Sequence, residues 1–425
     1  MRILVLSDTF PPHNFGGAGE VAHLVSREYA ARGHDVLVMA GATRLSEVGE
    51  ATLDGMRVRR VWCPAVDPLR LHLGLLHPLA AAQIRRAAAR FCPDVVHAHN
   101  VHERLSFAAL GAARVGGAPL ALTAHDFLLF CLTKFLCSGG SDRYTALPAR
   151  CPHCRHIRRA PGRNAAVRRI VRRHVARVAC ISESQSRILG VNGYADVARE
   201  VVYNGIDPNA PVIGDEEKRD FRQRHGIDDR PLVFFGGRIS GAKGGDQLIR
   251  AMAEARKHVD CQLAIAGDRP QYFAFARRLA AEVGLDAGAL HVLGWLDGAQ
   301  LDVAFAACDV VATPSVYPDP FNLMNVRGMA HGRPVVGTCY GATPEIVVDG
   351  ETGLIADPWQ PAAFGKAVAA LAGDPERAAR MGAAGRARVR DQFTLTRQVD
   401  QYVDLLRDVR CSDTLTGSRA SATGL

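Results

Sequence analysis

The chain opens MRILVLSDTFPPHNFGGAGEVAHLVSREYAARGHDVLVMAG (Met1–Gly41), and the order of these residues decides the fold class. Arg2–Ser7 is a short apolar run of strand length. The loop from Asp8 carries Gly16, Gly17 and Gly19. From Gly19 to Arg32 apolar residues recur at helical spacing, and Gly33 ends the pattern. Asp35–Ala40 is strand-like again. A buried strand, an amphipathic helix and a second buried strand predict a parallel sheet covered by helices.

The alternation continues through Asp94–Ala98, Pro119–Thr123, Val178–Ile181 and Val201–Val202. It restarts with Pro231–Gly236, Gln262–Ala266, His291–Leu293, Asp309–Thr313 and Pro334–Thr338. Two such series predict an α/β protein of two Rossmann-like, doubly wound domains facing a central cleft. The first domain is placed at residues 1–205, with a cysteine-rich insertion at about 127–160, and the second at 206–393. A linker is read in the polar stretch Asp207–Arg230. A helix over 394–410 is followed by a Ser/Thr/Gly-rich tail, 411–425, whose composition is that of a disordered end.

Composition agrees with two globular domains. Of 425 residues, 48% are apolar and 22% charged, which excludes a disordered, collagenous or coiled-coil chain. The 52 basic residues exceed the 43 acids, giving a net charge of +9. Eleven cysteines are too dilute for a disulfide scaffold. No apolar run approaches the ~18 residues of a spanning helix, and the N-terminal run is too short for a signal peptide. The reading is cytoplasmic, with reduced thiols.

In open parallel sheets ligands sit beyond the carboxyl ends of the strands, so residues just after strands carry the chemistry. Gly17, in the first such loop, allows close approach of backbone amides to a phosphate or sugar; the plainer reading is tight helix–sheet packing. His97 and His99 end one strand, and His125 follows another. His125 is the strongest candidate of the first half, able to bond a sugar hydroxyl or stabilise developing charge. In the second half Arg238 follows a strand, and Lys243 precedes Gly244-Gly245 at a helix start. Two cations and a helix N-terminus suit a diphosphate leaving with negative charge. Further on, Asp319-Pro320-Phe321-Asn322-Leu323 forms a turn opening a helix, and Thr343 before Pro344 reads as a helix cap.

These motifs, in this order, resemble those of the family-4-type retaining glycosyltransferases of GT-B fold. The marks are the Gly16-Gly17 loop with Arg32–Val36, the Asp94–His99 and Thr123–Asp126 runs, and Asn204–Asp207. Gly237-Arg238 with Lys243-Gly244, Gly294-Trp295-Leu296 and Pro314–Gly353 complete them. The resemblance implies that Arg238 and Lys243 bind the donor diphosphate and that Asp319 holds the sugar. It also implies that backbone near Trp295 meets the base, and that His125 lines the sugar site. Asn322, Leu323 and Arg327 fall in the donor segment. Catalytic roles thus fall to His125 and Asp319. The implied donor is a UDP- or GDP-linked hexose. The implied acceptor is a glycan or lipid-linked molecule of cell-surface polysaccharide or glycolipid synthesis.

The sequence departs from the family at one point. Where the family has two glutamates, this chain has Asp319 and Arg327. Arginine has no acceptor and cannot take a ribose hydroxyl bond. A non-catalytic sugar-nucleotide or glycan-binding protein and a nucleotide-sugar epimerase are the alternatives. No Asp-x-Asp pair ends a strand, so no catalytic cofactor is expected. Cys131, Cys137, Cys151 and Cys154 suggest a structural zinc, set against unrelated reduced thiols. Arg150–Arg177 holds no acid and reads either as a solvated helix face or as a contact for an anionic membrane surface or a polyanionic acceptor. Nucleic acid is not indicated.

Overall fold

A computed structural model describes residues 1–13, 16–64, 74–134, 161–237, 239, 241–267 and 271–420. The chain divides into two compact units. One holds the described residues up to Asn204 together with those from Leu395 onward; the other is Gly205–Thr394.

The first unit runs β1 (Arg2–Ser7), α1 (Gly17–Ala31), β2 (Asp35–Ala42), β3 (Gly49–Leu53) and β4 (Met56–Trp62). It continues α2 (Pro78–Phe91), β5 (Val95–Ala98), α3 (Ala108–Ala112), β6 (Leu120–Ala124), α4 (Arg163–His174), β7 (Arg177–Cys180), α5 (Glu183–Leu189) and β8 (Arg199–Val201). The strands form one sheet in the order β3-β4-β2-β1-β5-β6-β7-β8. All pairs are parallel except the β3–β4 hairpin. Ile3, Leu4, Val5 and Leu6 are fully buried, as a central parallel strand requires. Each such side chain contributes about 1.5–3 kcal/mol by burial. Helix α1 ends where Gly33 takes φ 78°: the Gly33 N–H bonds Ala30 and the His34 N–H bonds Tyr29.

The second unit runs α6 (Asp215–Arg224), β9 (Leu232–Gly236), α7 (Gly245–Ala255), β10 (Gln262–Ala266), α8 (Gln271–Glu282) and β11 (Leu290–Gly294). Then come α9 (Gly298–Ala307), β12 (Val310–Thr313), α10 (Leu323–Ala330), β13 (Val335–Thr338), α11 (Thr343–Ile346), β14 (Gly353–Ala356), α12 (Pro361–Ala372) and α13 (Pro375–Gln392). Its sheet is parallel in the order β11-β10-β9-β12-β13-β14. In each sheet the strand order reverses beside the first strand, at β1/β5 and at β9/β12, which is where a doubly wound sheet opens a crevice.

Three sequence expectations change. The stretch Asp207–Arg230 is not wholly a linker: it contains α6, anchored by buried Phe221. Thr343 is not a helix cap; Ala342 holds that position and Thr343 lies inside α11, fully buried. The last helix, α14 (Leu395–Ala420), continues through the Ser/Thr/Gly-rich stretch. Extending a formed helix costs only propensity, no more than about 1 kcal/mol for each such residue. Its Val399, Tyr402, Val403, Leu406 and Val409 are buried in the first unit, and Asp400 pairs with Arg32 at 2.6 Å.

Candidate active site

The first unit gathers polar groups at the carboxyl ends of β1, β5 and β6. Asp8, just after β1, is buried and accepts the backbone N–H groups of Glu103, Arg104 and Leu105 at 2.7, 2.9 and 2.9 Å. This ties the loop after β5 to the loop after β1. Burial raises the Asp8 carboxyl despite those three bonds and the nearby His102. Asn100 spans the next gap. Its Oδ1 accepts the backbone N–H of His125 at 3.2 Å, and its Nδ2 donates to Asp126 at 3.0 Å. His102 lies 3.3 Å from the same carboxylate. Burial pushes the Asp126 carboxyl up, but His102, Lys134 and the Leu128 N–H together hold it well below the usual range.

Three histidines sit behind this edge. His97 and His99 are fully buried, and His125 is half-buried. Nδ1 of His97 meets the Tyr29 hydroxyl at 3.1 Å, and its Nε2 meets the Thr123 hydroxyl at 2.8 Å. Thr123 donates in turn to the hydroxyl of Tyr402 on α14, at 3.3 Å. Nδ1 of His99 lies 2.9 Å from Nε2 of His125. Burial lowers all three imidazoles: His97 to about 3, His125 to about 4, and His99 well below its usual value. For His125 the pull of Asp126 opposes burial and does not overcome it. At neutral pH these rings are uncharged hydrogen-bonding groups.

The second unit's crevice is charged. Gly244 takes φ 71°, and a Cβ there would come within 1.9 Å of the Pro314 carbonyl oxygen. The turn before α7 therefore lies against the loop after β12, and only glycine fits. This contact brings Lys243 to that loop. Its Nζ lies 2.5 Å from Oδ2 of Asp319 and 5.7 Å from the centre of the Tyr317 ring. The Asp319 side chain is 5% exposed and that of Lys243 27%. Ser315 donates weakly to the same carboxylate oxygen, at 3.4 Å. Gly341 closes the other side: a Cβ there would meet the Asp319 backbone at 2.4 Å, and the Ala342 N–H bonds the Asp319 carbonyl.

The remaining candidates fall as follows. Asn322 caps α10, accepting the Met324 N–H through its side chain at 3.1 Å, and Leu323 is the first residue of that helix. Arg327 is half-buried on α10. Trp295 follows β11 and is 78% exposed. Gly17 is exposed at the start of α1. Arg238, Cys137, Cys151 and Cys154 lie outside the described residues. Cys131 is buried beside the Thr133 hydroxyl. Among the described residues no three Cys, His, Asp or Glu side chains gather to hold a metal.

The basic stretch is not uniformly a solvated face. Arg163 is buried, donates to the Leu128 carbonyl at 3.0 Å and lies over the Phe107 ring. Arg172 pairs with Asp196 at 2.8 Å, and Arg177 with Glu200 at 2.9 Å. Arg169 and Arg173 are exposed.

The sequence reading passed over Asp8, Asn100, His102 and Asp126 as site residues. Their position just after strands was the available signal. Tyr402 had none, because its partner Thr123 lies 279 residues away.

Two family models match the chain, "Glycosyltransferase Family 4" over residues 15–210 and "Glycosyl transferases group 1" over residues 217–388. A GDP-mannose-dependent α-(1-6)-phosphatidylinositol monomannoside mannosyltransferase from Mycolicibacterium smegmatis is 29% identical over 395 residues, covering 90% of this chain and 92% of that protein. The sucrose-phosphate synthase of Thermosynechococcus elongatus shares the fold with a TM-score of 0.76 at 22% identity, over 97% of this chain and 99% of that one. The Anabaena protein HepE, solved with UDP and glucose, gives 0.71 at 22% identity, over 96% and 100%. With both halves matched in order on two parallel-sheet units, the chain belongs to the family-4-type glycosyltransferases of GT-B fold, and is a transferase.

Proposed function

We propose that this protein transfers a hexose, with retention, from a UDP- or GDP-linked donor to a glycan or lipid-linked acceptor in cell-surface polysaccharide or glycolipid synthesis. The observation that carries the reading is the Lys243–Asp319 pair, at the glycine turn that opens α7. A lysine there offers charge to a diphosphate, and the helix N-terminus adds its dipole. A carboxylate beside it can accept sugar hydroxyls. Sequence places Arg238 in the same post-strand loop as a second cation. In the first unit, neutral His125 offers a hydrogen bond without adding charge.

Relatives support both donor classes: the mycobacterial mannosyltransferase is named for GDP-mannose, and HepE was solved with UDP. Nucleotide release from a panel of UDP-, GDP- and ADP-sugars, with and without acceptor, tests the reading. Release that rises with acceptor supports transfer. Conversion without an acceptor identifies an epimerase, and binding without turnover a non-catalytic protein.

A lipid-linked acceptor places the enzyme at a membrane, and the exposed Arg169 and Arg173 of α4 favour an anionic surface. Among the described residues no helix is long and apolar enough to cross a membrane. Co-sedimentation with phosphatidylglycerol vesicles at low salt, lost on Arg169→Glu with Arg173→Glu, supports this contact; wild-type protein that stays in the supernatant excludes it.

A further inference from the structure

We propose that His99 is a positioning residue that fixes His125 in the tautomer with its proton on Nδ1, so that this N–H is what the ring offers to a sugar hydroxyl. The inference rests on the reading of His125 as a sugar-site residue.

The geometry is that of an in-line bond between two imidazoles. Nδ1 of His99 and Nε2 of His125 are 2.9 Å apart. The ring planes differ by 15° and the centroids are 5.2 Å apart. That separation is too long for face-to-face contact at this nitrogen distance, so the rings meet edge to edge. One proton lies between the two nitrogens, and either ring can hold it.

The other nitrogen of His99 decides which. His99 is fully buried, and its Nε2 has no hydrogen-bond partner among the described residues. If His125 donated, His99 would carry its own proton on Nε2, as a buried N–H without an acceptor. Orphaned buried donors are the rarer and costlier kind. If His99 donates from Nδ1, only an acceptor lone pair is left unpaired. The second arrangement wins, and it puts the His125 proton on Nδ1. The bond to His99 is the only side-chain hydrogen bond of His125 among the described residues.

The wall behind His99 keeps it in place. His97 lies 4.3 Å away, ring to ring, and is held on one nitrogen by Tyr29 and on the other by Thr123. Tyr402 of α14 meets both His97 and His99, at 4.8 and 6.5 Å. Burial keeps all three imidazoles neutral near pH 7, so the proton between His99 and His125 is not replaced by a second one.

Histidine-selective 15N spectra of the full chain read the tautomer directly. His125 is expected as the Nδ1–H form in the wild type. In His99→Phe it should move toward the Nε2–H form that unconstrained imidazole favours. In the same variant kcat for hydrolysis of UDP-glucose or GDP-mannose should fall by about tenfold, with KM unchanged. His99→Asn sets an amide N–H near the place of Nδ1 and should restore both the tautomer and most of kcat. A wild-type spectrum with the His125 proton on Nε2 overturns the assignment, as does a His99→Phe enzyme that keeps both its tautomer and its kcat. His125→Ala separates this inference from the reading beneath it. Unchanged hydrolysis of both donors in that variant removes His125 from the sugar site, whatever its tautomer.

Discussion

Lys243→Ala and Asp319→Asn should differ in what they do to stability and to ligand affinity. The Asp319 side chain is 5% exposed, and Lys243 and the distant Ser315 hydroxyl are the polar side chains on its Oδ2. Lys243→Ala leaves a buried carboxylate without its counter-charge, at a cost of about 3 kcal/mol. The side chain of Lys243 is 27% exposed and can turn its ammonium to water, so Asp319→Asn should cost only about 1 kcal/mol. On nucleotide binding the two variants part in sign. Lys243→Ala removes a charge-assisted bond to the diphosphate, worth roughly 1.5–3 kcal/mol, or about 10- to 150-fold in Kd for UDP and GDP. Asp319→Asn frees the ammonium from its competitor. It should therefore tighten the free nucleotide severalfold while weakening the nucleotide sugar, which loses a hydroxyl acceptor. Urea unfolding gives the stabilities, and calorimetry with UDP, GDP and their hexose conjugates gives the affinities. Equal stability losses in the two variants, or parallel losses for nucleotide and nucleotide sugar in Asp319→Asn, would refute the assignment of this pair to the donor.

Acid should destabilise the fold through the histidines. His97 and His125 titrate at about 3 and 4 when folded and near 6.5 when unfolded, so between those values the unfolded chain binds more protons. Stability is then complete above about pH 6.5 and falls as pH drops toward 4, by roughly 2 kcal/mol from each ring at pH 5. Urea midpoints measured from pH 7 to 4.5 check the slope, and His97→Gln should flatten it. Gly244→Ala should fail to fold or lose more than about 3 kcal/mol, since its Cβ would overlap the Pro314 carbonyl and φ is 71°; a melting temperature like wild type would contradict the close approach. Arg327→Ala should weaken donor binding if the arginine contacts a phosphate, and Arg327→Glu should strengthen ribose recognition, both by calorimetry. No change in either variant would place residue 327 outside the donor site.

The α/β alternation was legible because parallel strands are buried on both faces and their apolar runs are unbroken, as in Arg2–Ser7 and Leu232–Gly236. The β3–β4 hairpin escaped because Met56–Trp62, next to the edge strand β3, carries arginines at 57, 59 and 60, so that its apolar residues are not continuous. At the site, His125 was readable as a polar residue just after a strand, and Lys243 and Asp319 as polar residues in turns that open helices. What could not be read was their pairing. The Lys243–Asp319 contact depends on Gly244 and Gly341 having no Cβ, against chain 70 and 22 residues away respectively. Likewise the absence of acid within Arg150–Arg177 pointed to an unpaired basic face, yet Asp196 and Glu200 reach back to it from outside the stretch.

The replacement of glutamate by Arg327 acquires meaning from its surroundings. Helix α10 cannot shift to accommodate a different side chain there. Val326 and Met329 are fully buried, and a Cβ on Gly328 would meet the Val311 side chain at 2.8 Å. Residue 327 is thus presented at a fixed place, about one turn into the helix that follows Asp319, whose carboxylate Lys243 already engages. A glutamate at that place adds an acceptor; an arginine adds up to five donors and a full positive charge. On the proposed donor site this exchange would favour phosphate over ribose hydroxyls. A site so composed should discriminate donors less by their ribose and more by the diphosphate and the sugar on Asp319. The comparison that exposes this is affinity for a nucleoside diphosphate against the matching 2′-deoxynucleoside diphosphate. A near-equal pair of constants follows from arginine, and a large preference for the ribose form would mean that another acceptor has taken the glutamate's role.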